Sequence, residues 1–221
     1  GAVDLIVLLE EMGRSLCPMP LASNDLAIAA LTTLGDDAQQ AAWLPKIVAG
    51  DVVATVAIFE TTDVATEDGI AMRATAQGDA VMLEGTKLFV PDGQHADLVL
   101  VAAREGQGVS LFAVPVDTPG VTVNPLVVVD ATKPAAEVKL AAVKVPASAR
   151  IGGAGAAWPA LARLVDRQII THAAEMVGAA DAALRMAVEY AKVRQQFGSP
   201  IGRFQGVKHR CAEMLCDVES A

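Results

Sequence analysis

Residues 190–214 read YAKVRQQFGSPIGRFQGVKHRCAEM. A helical apolar pattern arrives from upstream and ends near Arg194, FGSPIG supplies the Gly and Pro that reverse a chain, and a second helical pattern starts at Arg203. From Lys192 to Arg210 there are five basic residues (Lys192, Arg194, Arg203, Lys208, Arg210) and no acid. The whole chain carries 17 basic and 26 acidic residues, a net charge of -9, so this corner is a local reversal of sign. An arginine fork with the amides of Gln195, Gln196 and Gln205 suits a diphosphate or an anionic partner. The competing reading is a solvated bundle end.

Upstream, Leu161, Leu164, Val165, Ile169, Ala173, Met176, Val177, Ala180, Leu184, Val188 and Ala191 extend the first helix back to Pro159, a rod of roughly 50 Å. Residues 159–221 thus form half of an antiparallel bundle, whose apolar face needs further helices to cover it. Earlier still the period changes. VVATVAIF, IAMRATAQ, AVMLEGTKLFV, DLVLVAA, VSLFAVPV and EVKLAAVKV are short β-prone runs punctuated by Gly78-Asp79, Asp92-Gly93, Glu105-Gly106 and Pro119-Gly120, a spacing that predicts a compact antiparallel barrel or sandwich. The first fifty residues read as three helices: 4–13, 24–34 ended by Gly35, and one capped by Asp36, with Pro45 turning the chain into a short segment closed by Gly50. The fold class is α+β in three parts: N-terminal helices over 1–51, a middle β domain over 52–152 and a C-terminal helical bundle over 153–221. Gly1 opens almost directly on a helix and Ala221 falls inside another, so both outer parts read as truncated.

Composition removes several function classes. With 53% hydrophobic residues the chain buries a core, and its 2 Trp, 1 Tyr and 5 Phe are too few for nucleic-acid stacking platforms. Cys17, Cys211 and Cys216 are odd in number without a CxxC, and His95, His172 and His209 are far apart, so neither a disulfide framework nor a zinc site is written here. No leader is present and no apolar run reaches the roughly 18 residues of a membrane span, which points to a soluble, cytoplasmic chain. A GxSxG elbow is absent. Gly152-Gly153-Ala154-Gly155 precedes a helix but lacks the GxGxxG spacing and a βαβ context, so it reads as a linker rather than a phosphate cradle.

The opening stretch resembles the helix–turn–helix signature of the acyl-CoA dehydrogenase family, approximately Y-x-x-x-R-x-Q-F-G-x-P-I-x-x-F-Q-x-x-K. Tyr190, Arg194, Gln196, Phe197, Gly198, Pro200, Ile201, Phe204, Gln205, Lys208, Ala212 and Met214 match it. LEEMGRSLCPMPL, GDDAQQAAWLPKIVAGD and LEGTKLFVPDGQHADLVLVAA are similar to family segments in the N-terminal and middle domains. The resemblance implies an oxidoreductase that uses FAD to take hydride from the β-carbon of an acyl-CoA thioester while a carboxylate removes the α-proton, in dimers or tetramers. It implies that Arg194 reaches the FAD diphosphate of a neighbouring subunit, with Gln205 nearby and Phe197 and Phe204 as supporting walls.

The remainder of the family machinery is eroded. Where the family has a T-E-P-x-x-G-S-D-like loop, this chain has Phe59-Glu60-Thr61-Thr62-Asp63-Val64-Ala65-Thr66, and Phe59 and Val64 remove both donor and room. The family's aromatic-Ile-Thr stretch is Phe89-Val90-Pro91, and proline offers neither hydroxyl nor N–H. One family position for the catalytic base holds Gln168, the neighbouring carboxylates Asp166 and Glu175 point elsewhere on the helix, and the other position lies outside this chain. No catalytic residue and no metal ligand is therefore assigned. The leading expectation is the flavin-poor subunit of a heteromer that completes a homologous partner's FAD site, as in family heteromers acting on bulky CoA thioesters such as steroid side chains. Two alternatives stand beside it: a homo-oligomer with a divergent flavin loop and its base outside this chain, and a non-enzymatic structural partner.

Overall fold

The structure, a computed structural model, describes residues 1–62 and 66–221. Asp63, Val64 and Ala65, part of the loop singled out above, lie outside the described residues. In chain order the elements are α1 (Ala2–Ser15), α2 (Leu21–Leu34), α3 (Asp37–Ala49), β1 (Ala54–Ala57), β2 (Arg73–Gln77), β3 (Ala80–Pro91), β4 (Leu98–Glu105), β5 (Gly108–Pro115), β6 (Val121–Pro125), β7 (Ala135–Pro146), β8 (Arg150–Ile151), α4 (Trp158–Val193), β9 (Gln195–Gln196), β10 (Ser199–Pro200) and α5 (Gln205–Ser220). They form two compact units, Met19–Gln168 and Gly1–Pro18 with Ile169–Ala221, and α4 contributes to both.

The first unit is built on an eight-stranded sheet in the order β6-β7-β3-β2-β4-β5-β8, with β1 joined to β4. Most neighbours are antiparallel, as the hairpin turns predict, but β1 runs parallel to β4, Ala54–Ala57 against Leu98–Val101. β4 explains why DLVLVAA lacks alternation: Leu98, Leu100 and Ala102 enter the apolar cluster shared with α2 and the start of α4, while Val99, Val101 and Ala103 enter a second cluster around Phe112. A strand covered on both faces reads as a continuous apolar run. β6, an edge strand ending in Pro125, was not among the expected runs.

α3 differs from its sequence reading, because it continues through Pro45 to Ala49. Pro45 and Ala41, whose carbonyl loses its helical partner, are both exposed, so water can satisfy that oxygen. The helix is secured at its start by a capping box, Gln39 N–H to Asp36 Oδ1 at 2.8 Å with the Gln39 side chain returning to Asp36 N–H, and ends at Gly50 with φ 81°.

In the second unit α1 crosses α4 at two glycines. A Cβ on Gly13 would fall on the carbonyl of Glu175, and one on Gly178 on the carbonyl of Glu10, so the two backbones touch. Arg14 is steadied on α1 by Glu10 (2.8 Å) and Glu11 (3.1 Å) and reaches across the crossing to Asp181 on α4. Met176, Met186, Tyr190 and Val193 on α4 and Leu215 on α5 are exposed.

Candidate cofactor-binding site

The corner that opened the sequence analysis is a hairpin between two helices. Arg194 N–H still bonds to Tyr190 O at 2.9 Å, after which β9 and β10 pair Gln196 with Ser199 and Gln195 with Pro200. The two-residue turn is Phe197-Gly198, with φ 51° and 76°; both in the left-handed region is the type I′ geometry that suits a tight hairpin. Ile201 N–H then returns to Arg194 O at 2.8 Å, a 3-10 turn covers Ile201–Arg203, and α5 starts from Phe204. The Phe197 and Phe204 rings meet edge to face with centroids 6.0 Å apart, and Phe197 is 93% exposed. Arg194, Phe197, Phe204 and Gln205 are thereby gathered on one exposed corner.

The five cations there are not equivalent. Lys192 binds Glu189 at 2.5 Å and Arg210 binds Glu213 at 3.0 Å, each one helical turn away. Arg194, Arg203 and Lys208 are exposed and make no ion pair among the described residues. A solvent-facing set of free cations with amide neighbours fits an anionic group such as a diphosphate.

The sheet unit carries the residues matched to a flavin's polar edge. Glu60 is buried and fully engaged: its carboxylate accepts the N–H groups of Ala71 (3.1 Å) and Met72 (3.0 Å) and the Lys87 ammonium (2.6 Å). Lys87 has no exposed surface and also donates to Ile58 O at 3.0 Å. Burial pushes its pKa down to about 8, against the opposing pull of Glu60. Lys87 escaped the sequence reading, although its parity with the inward residues Val81 and Leu83 of β3 was the available signal. The retained Glu60 thus ties together the end of β1, the entry to β2 and the middle of β3.

Around that pair, backbone groups are already committed. Phe59 O accepts Leu88 N–H at 2.9 Å, and the Phe59 side chain packs against the cluster containing Ile58 and Ile70. β3 bulges between Lys87 and Val90, placing Phe89 at φ 52° and leaving it 53% exposed. Pro91 has no N–H, and its carbonyl accepts the Thr55 hydroxyl at 2.7 Å. Asp92 N–H bonds to Pro134 O (2.9 Å), and its carboxylate takes the Ser23 hydroxyl (2.5 Å).

The other sequence candidates separate. Gln168 is half-buried on α4, Asp166 is exposed, and Glu175 is buried beside Gly13 of α1. The 152–155 glycine run is a linker: Gly155 N–H bonds to Ser110 Oγ (2.7 Å), Ala156 N–H to Gly153 O (3.2 Å) and Ala157 N–H to Val109 O (2.8 Å). Ser110 and Arg150 also hold Glu105, whose carboxyl burial pushes up but whose hydrogen bonds to Arg150 and Ser110 bring below its ordinary value. Among the described residues there is no group of side chains able to hold a metal, and no helix is long and apolar enough to cross a membrane.

Comparison with known proteins gives the same family from three directions. Residues 1–51, 59–143 and 158–221 match models of the acyl-CoA dehydrogenase N-terminal, middle and C-terminal domains. The acyl-CoA dehydrogenase FadE27 of Mycobacterium tuberculosis is 33% identical over 99% of this chain and 56% of its own length. Butyryl-CoA dehydrogenase from Megasphaera elsdenii superposes with a TM-score of 0.94 at 28% identity, over 100% of this chain and 60% of that one. In the ChsE4-ChsE5 complex from Mycobacterium tuberculosis, a chain matches with a TM-score of 0.88 at 30% identity, over 99% of this chain and 58% of that one. The chain spans little more than half the length of these relatives. It belongs to the acyl-CoA dehydrogenase family.

Proposed function

We propose that this chain serves an acyl-CoA dehydrogenase assembly, acting on an acyl-CoA thioester in the cytoplasm, as the subunit that completes the FAD site of a homologous partner while holding little or no flavin itself. Bound FAD supplies a hydride acceptor for α,β-dehydrogenation. The observation that carries the reading is an asymmetry. The corner of Arg194, Phe197, Phe204 and Gln205 is open and cationic, fit for a diphosphate, whereas the ring-edge region is short of hydrogen-bond donors. At that edge the Leu88 N–H is taken by the Phe59 carbonyl and Pro91 offers none, so two backbone donors for a flavin's polar edge are missing. Gln168 in place of a carboxylate agrees with a chain that leaves proton abstraction to another subunit. The ChsE4-ChsE5 complex, a pairing of two differently named chains, supports a heteromer as a form open to this fold.

A homo-oligomer in which every chain holds FAD is favoured by the exposed Phe89 ring and the exposed hydroxyls of Thr61 and Thr62. A visible spectrum separates the two. The chain purified alone is expected to lack flavin absorbance, and co-expression with a homologous partner to restore it; a yellow homo-oligomer refutes the proposal. In the restored complex Arg194→Ala is expected to deplete FAD without unfolding the chain, and unchanged flavin occupancy would remove Arg194 from the site.

A further inference from the structure

We infer that the glycine run 152–155 is a hinge held shut by one carboxylate, that of Glu105, rather than a slack connection between the sheet and α4. Every residue involved belongs to the unit Met19–Gln168. Gly152, Gly153 and Ala154 are exposed, and Gly152 and Gly155 take φ of 79° and 67°, a region glycine enters without strain. Both flanks of the run are fastened to the same strand. Upstream, Arg150 and Ile151 of β8 pair with Phe112 and Leu111 of β5. Downstream, Ala156 bridges Val109, and Ala157 N–H bonds to Val109 O at 2.8 Å. Ser110, the β5 residue between these anchors, has no exposed surface. The downstream flank lies directly on the β4–β5 turn, since a Cβ on Gly108 would stand 2.1 Å from Gly155 O.

Glu105 grips both flanks at once. Arg150, upstream, donates Nε–H to Glu105 Oε2 at 2.8 Å and Nη2–H to Oε1. Ser110 Oγ donates to Oε2 at 2.5 Å and accepts Gly155 N–H, downstream, at 2.7 Å. A hydroxyl has one hydrogen to give, so committing it to the carboxylate turns a lone pair toward Gly155. The Arg150–Glu105–Ser110–Gly155 relay thus passes through a single charged side chain, and its bonds to that charge are the strong kind. Arg104, the neighbouring cation on β4, donates to the carbonyls of Glu67 and Ile70 and does not stand in for Arg150. Opening the hinge breaks the Gly155–Ser110 and Ala157–Val109 bonds, frees the entry to α4 at Trp158 and leaves the β4–β5 ladder intact.

Amide hydrogen exchange of the purified chain, read residue by residue by NMR, tests this. In the parent the Gly155 and Ala157 amides are expected to exchange slowly. Glu105→Gln keeps the shape and removes the charge, and is expected to speed both amides about ten- to hundredfold. The Leu100 and Val101 amides of β4 are expected to stay within about threefold of the parent, because their ladder does not open with the hinge. Ser110→Ala cuts the relay at its last step and is expected to speed Gly155 alike, with the double variant no faster there than Ser110→Ala alone. Thermal melts check that each variant stays folded. If Gly155 and Ala157 remain protected in Glu105→Gln, Glu105 is not the catch. If Leu100 and Val101 accelerate in step with them, Glu105 supports the whole sheet and the hinge is overturned. Fast exchange of Gly155 and Ala157 in the parent would overturn it too, because the run would then already be open.

Discussion

Gly178→Ala puts the α1–α4 crossing to a quantitative test, because two opposed effects can be weighed. In an exposed helix interior the substitution stabilises by about 1 kcal/mol, since alanine is the better helix former. At Gly178 the new Cβ would stand 2.7 Å from the carbonyl carbon of Glu10 and 2.9 Å from the backbone nitrogen of Arg14, against at least 3.4 Å for ordinary contact. These are backbone atoms, so no rotamer change relieves the clash and α1 must retreat by roughly an ångström, a displacement of the overpacking kind that costs about 1–3 kcal/mol. The same retreat loosens Arg14 from Asp181, which is largely shielded from solvent. With the loosened Arg14–Asp181 contact added, the net expectation is a loss of about 1–2 kcal/mol, read as a fall in Tm of roughly 2–8 °C for a chain of this size. Gly206→Ala in α5 is the internal comparison, since nothing lies within 4 Å of its added Cβ, and it should leave Tm unchanged or raise it. If Gly178→Ala behaves like Gly206→Ala in thermal and urea unfolding, the backbone-to-backbone crossing is wrong.

Lys87→Met, which strands the buried Glu60 carboxylate, should destabilise by about 3–5 kcal/mol in urea unfolding, with part recovered in the double variant with Glu60→Gln. Lys87 also gives stability a pH slope. Its folded pKa of about 8 lies below the 10.5 of the free amine, so between these values the unfolded chain holds the proton that the folded chain has released. Unfolding takes up that proton, and this contribution to stability is complete above 10.5 and is lost as pH falls through 8, a slope the double variant should lack when midpoints are followed from pH 7 to 10. Pro91→Thr restores an N–H and a hydroxyl at the flavin-edge position but leaves Leu88 N–H held by the Phe59 carbonyl, so the variant, incubated with FAD and desalted, should show no flavin absorbance.

What could be read from the sequence is what local chemistry decides. The hairpin at Phe197-Gly198 needs a left-handed turn, and glycine in the second position announces it. The Asp36 cap and the Gly50 stop of α3 are likewise written within a few residues of where they act. The misses depend on partners distant in the chain or on exposure. Pro45 continues α3 because the carbonyl it orphans faces water, which no periodicity reveals. β1 runs parallel to β4, forty-four residues on, through a register that only the folded sheet specifies. Lys87 looks like a surface lysine until Glu60, twenty-seven residues earlier, is seen to receive it.

The cationic corner lies between these cases and shows where a sequence window misleads. Counting from Lys192 to Arg210 finds five cations and no acid, yet Glu189 and Glu213 stand three residues outside either end, which on a helix is contact distance. Helical spacing applied across the window's edges subtracts Lys192 and Arg210, leaving Arg194 and Arg203 on either side of the Phe197-Gly198 reversal and Lys208 in the first turn of α5. Charge concentrated at a reversal is presented from two elements at once, and that separates an anion-binding corner from a merely solvated helix face. If flavin occupancy of the restored complex proved equally sensitive to neutralising any of the five cations, long-range charge rather than this arrangement would govern the corner.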